Sequence, residues 1–536
     1  YLVADRVEVI SRAAGSGEAW RWFSDGREEF QLEPSEREVR GTSVILHLRE
    51  EQRDYLDEWR IRELVSRYAD YVDHTIELAV QRRPERDAST DSASADSASG
   101  ETSAADAADD AAVGDETHDA ALQTRFETIN EGSALWVRGP SEITKEQYHE
   151  FYKHLTHDWD EPLAQIHFKI EGTTEFTGIL FVPKTRPFDL FDRESHHGIR
   201  LYVKRVFIME DCKEVLPRFL RFMRGMVDSN DLPLNISREL LQDSGLIRVI
   251  RKQVVKKALT LIEELASERP DDYATFFENF GPVLKEGVYS EAEHRERLAK
   301  LLRFDSSTEE KPTSLADYLT RMKEGQPGIY YALGMSRGML ESSPHLEVLK
   351  KKGYEILYLT DHIDQWVSSS LHEFEGKPLV NALAADLKLD ENDSEAKAEV
   401  EAKTETLRSV IERFKSVLAD RVAEVKVSER LDDSPVCLVI PPGGMAAHIE
   451  RMLRLHKQKL PQTKRILELN PNHGLIKHLQ SLLDKDGGTG LLDEWIELLF
   501  DQALLTEGSP LENPAAFAGR VTRLMERAAF AEVLRV

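Results

Sequence analysis

The segment Asp231-Leu232-Pro233-Leu234-Asn235-Ile236-Ser237-Arg238-Glu239-Leu240-Leu241-Gln242 decides how the rest of the chain is read. Pro233 ends the element before it, since proline lacks an N–H and clashes with a continuing helix. Ser237 suits a helix N-cap, and Glu239 sits in the first turn, where the helix dipole favours an acid. Arg238 breaks that pattern. An exposed cation in the first turn costs about 0.3–1 kcal/mol, and Gln242 follows one turn later on the same face. Local violations of this kind concentrate where function requires them. A guanidinium that forks onto anionic oxygens, with an amide beside it, suits phosphate contact. A surface arginine paired to Asp228 or Asp231 satisfies the same residues, so the segment alone leaves both readings open.

Outward from this segment the chain divides into four blocks. Residues 1–82 read as the back part of an α/β domain, with strands around Val7–Ile10, Trp20–Phe23 and Ser43–Leu48 and a helix from about Asp57. Two strand pairs and one helix cannot cover a sheet on both faces, so this block is expected to be marginal alone. Residues 83–129 read as an acidic linker. Its centre, 87–119, is mostly Ala, Ser, Asp, Thr and Gly, with no Lys, Arg, Phe, Tyr or Trp, and cannot bury enough apolar surface to offset its ordering entropy. Residues 130–392 alternate strands and helices. Thr144 with Gln147 forms a capping box; Ile166–Ile170, Gly178–Val182 and Arg200–Ile208 read as strands, Leu216–Val227 and Ser237–Ser267 as helices. A smaller α/β unit follows, with strands Gly328–Leu333 and Glu355–Leu359 and helices Leu315–Met322 and Pro344–Lys352. Residues 393–536 hold a charged helix, strands Val422–Val427 and Val436–Ile440, and several helices. The expected fold class is a mixed α+β and α/β multidomain chain.

Several stretches, in order, resemble the heat-shock protein 90 family in its bacterial (HtpG) branch. Asp231–Gln242 is similar to the catalytic loop of that family's middle domain. Around it stand Asp158-Trp159-Asp160-Glu161-Pro162-Leu163, Arg186-Pro187-Phe188-Asp189-Leu190-Phe191 and Leu201–Ile208. Leu2–Val7, Arg40-Gly41-Thr42, Leu301–Phe304 and Leu469-Asn470-Pro471-Asn472-His473 extend the likeness over nearly the whole chain except 87–119. The resemblance implies a remnant of a GHKL-type ATPase domain, an α/β middle domain and an α+β C-terminal dimerisation domain. It implies an ATP-dependent cytoplasmic chaperone that assists unfolded or partly folded client proteins in the stress response. Arg238 would reach the γ-phosphate of ATP, held with Mg, while Asn235 and Gln242 support the loop and Thr42 lies near the adenine. The family's essential Glu and Asn, its Asp-x-Gly loop and its glycine-rich lid precede the Val-Ala-Asp stretch, and the chain opens at Tyr1 inside an apparent strand. It therefore reads as a fragment without most of the ATP pocket. No cofactor and no ATP turnover are expected of it alone.

The resemblance also implies client contacts. Met445, Ile449, Met452 and Leu453 share one helix face after Pro441-Pro442-Gly443-Gly444, a stripe that in other proteins is ordinary core. Methionine adapts to varied apolar segments. Trp366 matches another client position, with uncharged Gln365 where relatives carry Glu. Trp159, Phe188 and Phe207 are similar to further aromatics of the middle domain, Phe207 with a core role. Leu492, Trp495 and Leu499, then Phe517 and Leu524 after Asn513-Pro514, form stripes wider than one small domain needs. They imply a two-fold homodimer interface. Val533–Val536 lacks the acidic tail that recruits tail-binding co-chaperones in eukaryotic relatives.

Composition narrows the alternatives. A net charge of −27 opposes general nucleic-acid binding, which needs a positive field. Two cysteines, Cys212 and Cys437, make no disulfide framework or metal spacing, and no run of the sequence is apolar enough for a membrane span. Pro441–Gly444 lacks the Lys-Ser/Thr of a phosphate loop. His154, His157, His196 and His197 read as solvated histidines and Arg248–Lys257 as a charged helix face. Two other classes stand beside the chaperone: a mismatch-repair or topoisomerase-type ATPase of the same superfamily, which uses Lys at the step of Arg238, and a non-enzymatic dimerising scaffold.

Overall fold

The computed structural model describes every residue except 28, 83–122, 193–197, 233–244, 385–386, 388–393, 442–463, 487–489 and 534–536. Four strands, β1 (Ala4–Arg12), β2 (Ala19–Ser24), β3 (Gln31–Ser35) and β4 (Gly41–Leu48), form an antiparallel sheet in the order β3-β2-β1-β4. Register places Val9 between Trp22 and Val44, and Ser11 between Trp20 and Thr42. Period-two alternation therefore gathers Val7, Val9, Trp20, Trp22, Val44 and Leu46 on one face, where Trp20, Val44 and Leu46 remain exposed. Helix α1 (Glu58–Tyr68) follows, capped by the Asp57 side chain on the Arg60 N–H at 3.1 Å.

Strand β5 (Glu77–Arg82) pairs antiparallel with β6 (Gln123–Thr128), from Glu77 opposite Thr128 to Arg82 opposite Gln123. This corrects the expected linker of 83–129, whose last residues are strand. Composition alone drew that boundary, whereas Thr124, Phe126 and Thr128 alternate as β-formers. The core of the linker reading, 87–119, lies outside the described residues.

In the middle region, α2 (Lys145–Thr156) opens on the expected capping box: Gln147 N–H to Thr144 at 3.4 Å and Thr144 N–H to Gln147 at 3.1 Å. Strands β7 (Ala164–Ile170), β8 (Phe176–Val182), β9 (Arg200–Val203), β10 (Val206–Met209) and β11 (Arg224–Ser229) form a sheet ordered β10-β9-β11-β8-β7. Two expectations are corrected here. Arg200–Ile208 is a hairpin, turned at Lys204 and Arg205 with φ of 50° and 66°. Leu216–Val227 is a short 3-10 turn (Arg218–Leu220) followed by β11. Its apolar spacing mimics a helix, yet Gly225 lets β11 press against β8: a Cβ there would sit 2.1 Å from the Ile179 carbonyl oxygen. Helices α3 (Gly245–Glu268), α4 (Pro270–Ser290) and α5 (Arg295–Leu301) pack on this sheet through Ile250, Val254, Phe276, Phe280 and Leu284.

The smaller unit runs β12 (Asp305–Ser306), α6 (Leu315–Arg321), β13 (Ile329–Leu333), α7 (Arg337–Glu341), α8 (Glu347–Lys351), β14 (Ile356–Leu359), α9 (Asp364–Ser370), β15 (Glu373–Phe374) and β16 (Lys377–Asn381). Its sheet is ordered β12-β14-β13-β16-β15, with β13 parallel to both neighbours. The last region holds α10 (Ser394–Thr406), α11 (Arg408–Val417), β17 (Val422–Val427), β18 (Val436–Val439), β19 (Arg465–Leu469), α12 (Gly474–Asp486), α13 (Gly490–Glu507) and α14 (Pro514–Val533). Sequence reading missed β19, the central strand between β17 and β18. Its alternation is broken by Glu468, buried because Ser428, Arg430 and Lys426 pair with it. The architecture is a mixed α/β multidomain chain, and none of its described helices is long and apolar enough to cross a membrane.

Candidate functional site

Arg238, Asn235 and Gln242 lie outside the described residues, but the residues that flank them are described. β11 runs through the sheet centre and leads to Asp231 and buried Leu232, and α3 begins at Gly245. Asp231 accepts the Glu175 N–H at 2.6 Å, tying the exit of β11 to the β7–β8 turn. Asp228, buried, accepts from the Trp136 indole at 2.8 Å and from the Arg205 N–H at 3.1 Å. The two acids that a surface-pairing reading offered to Arg238 are thus both engaged. Thr42 is exposed on β4, far along the chain from Arg238, with its hydroxyl 2.8 Å from that of Ser11.

The aromatic candidates are clearer. Trp159 is 92% exposed on the loop after α2, and Phe188 is fully exposed. The structure brings their loops together, since Thr185 donates to Asp160 at 2.9 Å. Both loops are pinned. Tyr152 donates to Asp158. Arg221, almost fully buried, donates to the Leu190 carbonyl at 2.7 Å and forks onto Glu286 of α4 at 2.6 and 2.8 Å. Phe191, also exposed, lies 5.4 Å under the Arg186 guanidinium. The Trp159 and Phe188 rings thus stand in solvent on loops whose backbones are held in place.

Trp366 is 43% exposed on α9. The base of that helix is tied to α4 by Lys285, which lies 2.7 Å from both Asp361 and Asp364 and 4.8 Å from the Phe304 ring centre. Asp364 is fully buried, and that burial pushes its carboxyl up despite the opposing pull of Lys285. Beside it, the buried side-chain amide oxygen of Gln365 has no hydrogen-bond partner. Sequence reasoning missed Lys285, Arg221 and Glu286. A lysine among Val283, Leu284 and Val288 on a buried helix face was the available signal.

Phe207 is half-buried against Tyr68 (5.7 Å) and Tyr202 (5.6 Å), as a packing residue is. Met445, Ile449, Met452 and Leu453 lie outside the described residues. Two dimer-interface candidates need correction. Leu492 and Leu499, 2% and 1% exposed, belong to the chain's own core around Phe414 and Val436, because α13 turns that stripe inward. Trp495 packs partly against the same core, while Phe517 and Leu524 are half-buried on α14. Arg520 clamps α14 to Glu497 and Asp501 of α13 at 2.9 and 2.6 Å. Leu491, Met525 and Phe530 remain exposed.

Comparison of the sequence with known proteins identifies its family. The family model described as Hsp90 protein covers residues 54–532. A protein named Chaperone protein HtpG from Myxococcus xanthus is 53% identical over 99% of this chain and 76% of its own length. Proteins of the same name from Bordetella avium and Geobacter sulfurreducens are 44% and 42% identical, each over 98% of this chain and 78% of their own length. With most of the chain matched and identity this high, it belongs to the Hsp90 family of chaperones, and its relatives are of the HtpG type.

Proposed function

We propose that the chain acts as part of an ATP-dependent molecular chaperone that binds unfolded or partly folded proteins in the cytoplasm under stress, with the ATP-dependent step belonging to the full-length protein and not to this chain alone. The observation that carries this reading is the pair of anchored loops holding Trp159 and Phe188 in solvent, with Trp366 on a helix tied to the same α4. Met445, Ile449, Met452 and Leu453 extend the client surface. Arg238 acts on the γ-phosphate of ATP, and Asn235 and Gln242 hold its loop. A positioned cation is what phosphoryl transfer gains most from. Thr42 serves the adenine side, and Mg accompanies the nucleotide. Two copies assemble through α13 and α14.

The test is Trp159→Ser with Phe188→Ser, read by suppression of aggregation of a denatured substrate and by melting temperature. Both rings are solvent-exposed, so their loss leaves the melting temperature within about 1 °C, since surface changes usually stay within roughly 0.5 kcal/mol. Suppression falls severalfold. Unchanged suppression with unchanged melting refutes the client surface.

A further inference from the structure

Between Pro187 and Asp192 the chain makes two turns back to back. Leu190 N–H donates to the Pro187 carbonyl at 3.3 Å, and Asp192 N–H to the Asp189 carbonyl at 3.0 Å. Leu190 is the inward residue of this loop, 3% exposed and part of the middle-region core. Phe188 and Phe191 lie on either side of it and both stand in solvent. Rings this near a core have an alternative. A loop tipped inward would take them out of water, and the hydrophobic effect favours that state. The open arrangement therefore needs a tie stronger than the turns themselves.

Arg221 supplies it. This arginine sits between buried Leu220 and Phe222 and is itself 4% exposed. Its Nε–H donates to the Leu190 carbonyl at 2.7 Å, and one terminal nitrogen donates to the Arg218 carbonyl at 3.1 Å. Both terminal nitrogens fork onto Glu286 at 2.6 and 2.8 Å, so four of the five guanidinium N–H groups are used. Glu286 is within reach because α4 lies close to the turn Arg218–Leu220. At the next residue, Gly287, a Cβ would meet the Phe219 ring at 2.6 Å, so only glycine permits this approach. Pulling Leu190 away leaves a charged donor buried and unpaired, which costs more than losing a neutral partner. The acceptor is a backbone carbonyl, so the bond fixes the path of the loop whichever side chains the loop carries. Lysine is no substitute, since a point charge on one nitrogen does not fork.

We propose that Arg221 and Glu286 are positioning residues for client capture, holding the loop in the open arrangement that presents Phe188 and Phe191, against a closed one in which the rings fold onto the core. The proposal rests on the client-surface reading of the exposed rings. Neither residue touches the client. They set the fraction of molecules with the loop open, and apparent affinity falls in proportion to that fraction.

A double-mutant cycle on the full chain tests this. The probe is lysozyme kept unfolded by reduction and carboxamidomethylation, and its affinity is read by fluorescence anisotropy. Arg221→Lys weakens binding about tenfold, the effect of orphaning the Leu190 carbonyl bond. In the ring-free loop, Phe188→Ser with Phe191→Ser, binding is already weak and Arg221→Lys weakens it no further. A purely structural arginine gives the same loss in both backgrounds. If Arg221→Lys does not fold, Glu286→Gln serves. It keeps an acceptor for the guanidinium but not its charge, and weakens binding about threefold, again only when the rings are present. Equal losses in the two backgrounds, or no loss from either variant while the ring-free loop binds weakly, overturn the positioning role. A ring-free loop that binds as tightly as the intact one overturns the client surface on which that role rests.

Discussion

Excising residues 83–122 and joining Arg82 to Gln123 through Asn-Gly tightens the molecule without shortening it. Arg82 and Gln123 are partners across the β5–β6 ribbon, so their Cα atoms stand only about 4.5–5.5 Å apart. The ribbon continues as a zipper. Ile129 N–H donates to the Ile76 carbonyl at 2.9 Å, Ile76 N–H to the Asn130 side chain at 2.8 Å, and Gly132 N–H to the Asp70 carbonyl at 2.9 Å. Beyond it, Tyr71 meets Trp136 at 4.7 Å, and Arg62 on α1 pairs with Glu127 on β6. The acidic stretch thus leaves and re-enters the fold at one place. Its length cannot set the distance between the parts it joins.

The magnitude follows from loop closure. For a stretch without a core of its own, as its composition predicts, cutting from about 40 residues to two lowers the closure cost by roughly 2–3 kcal/mol. Ribbon amides such as those of Ala79 and Arg125 then exchange some 30–100-fold more slowly, if they open locally. A spacer in series behaves differently. Removing it takes away a reach of roughly 35 Å, about 5–6 Å times the square root of its length. Labels on Asp25→Cys and Lys169→Cys report the distance, because native Cys212 and Cys437 are buried. The expected result is an unchanged distance and slower ribbon exchange. A contraction of tens of ångströms, or faster exchange in the ribbon, refutes the reasoning.

Other perturbations read separate parts of the structure. Lys285→Met leaves buried Asp364 without its cation and lowers stability by about 3–5 kcal/mol in urea unfolding; a loss below 1 kcal/mol contradicts a buried clamp. Leu491→Glu with Met525→Glu, both on exposed positions, yields monomers by sedimentation with little change in melting, whereas Leu492→Ala costs about 2–5 kcal/mol and leaves association intact. The pH dependence of His345 has a definite sign. Its folded value of about 3 lies below the ordinary 6.5, so between the two the unfolded state binds the extra proton. Stability therefore falls as pH drops from 6.5 toward 3, by roughly 4–5 kcal/mol over the window. In His345→Leu this component of acid destabilisation is absent; identical pH–stability profiles contradict the buried neutral ring.

Legibility from sequence followed how local the controlling physics is. The Thr144–Gln147 box was readable because both partners lie within one turn, and the helix from about Asp57 because its apolar spacing is local. So were the alternating strands β1 and β4. β11 was misread because Arg218 to Met226 carries apolar residues at spacings that satisfy a helix, and only the approach of β8 to Gly225 decides otherwise. β19 was missed because an acid in the middle of a strand argues for surface until Arg430, which precedes it by 38 positions, is folded against it. The same limit applied to the site. The aromatic residues were found by resemblance, but nothing local distinguishes exposed Trp159 from half-buried Phe207. Leu492 and Leu499 were placed on an interface because stripe width counts apolar residues without saying which side of α13 faces home.

The anchors explain how exposed rings persist. A flexible loop carrying Phe188 and Phe191 would fold its apolar side chains onto the nearest core, since burying each is worth about 1.5–3 kcal/mol. Here the loop's backbone is fixed at Leu190 by a buried guanidinium that is itself held by Glu286. The next residue back, Lys285, fixes the base of the helix that carries Trp366. Two neighbouring side chains of α4 thus set the positions of two separate aromatic elements through desolvated ion pairs, whose geometry tolerates little displacement. A shift of α4 moves both elements together. Any rearrangement of that helix therefore reaches both elements, and α4 packs on α3, whose first residue is Gly245.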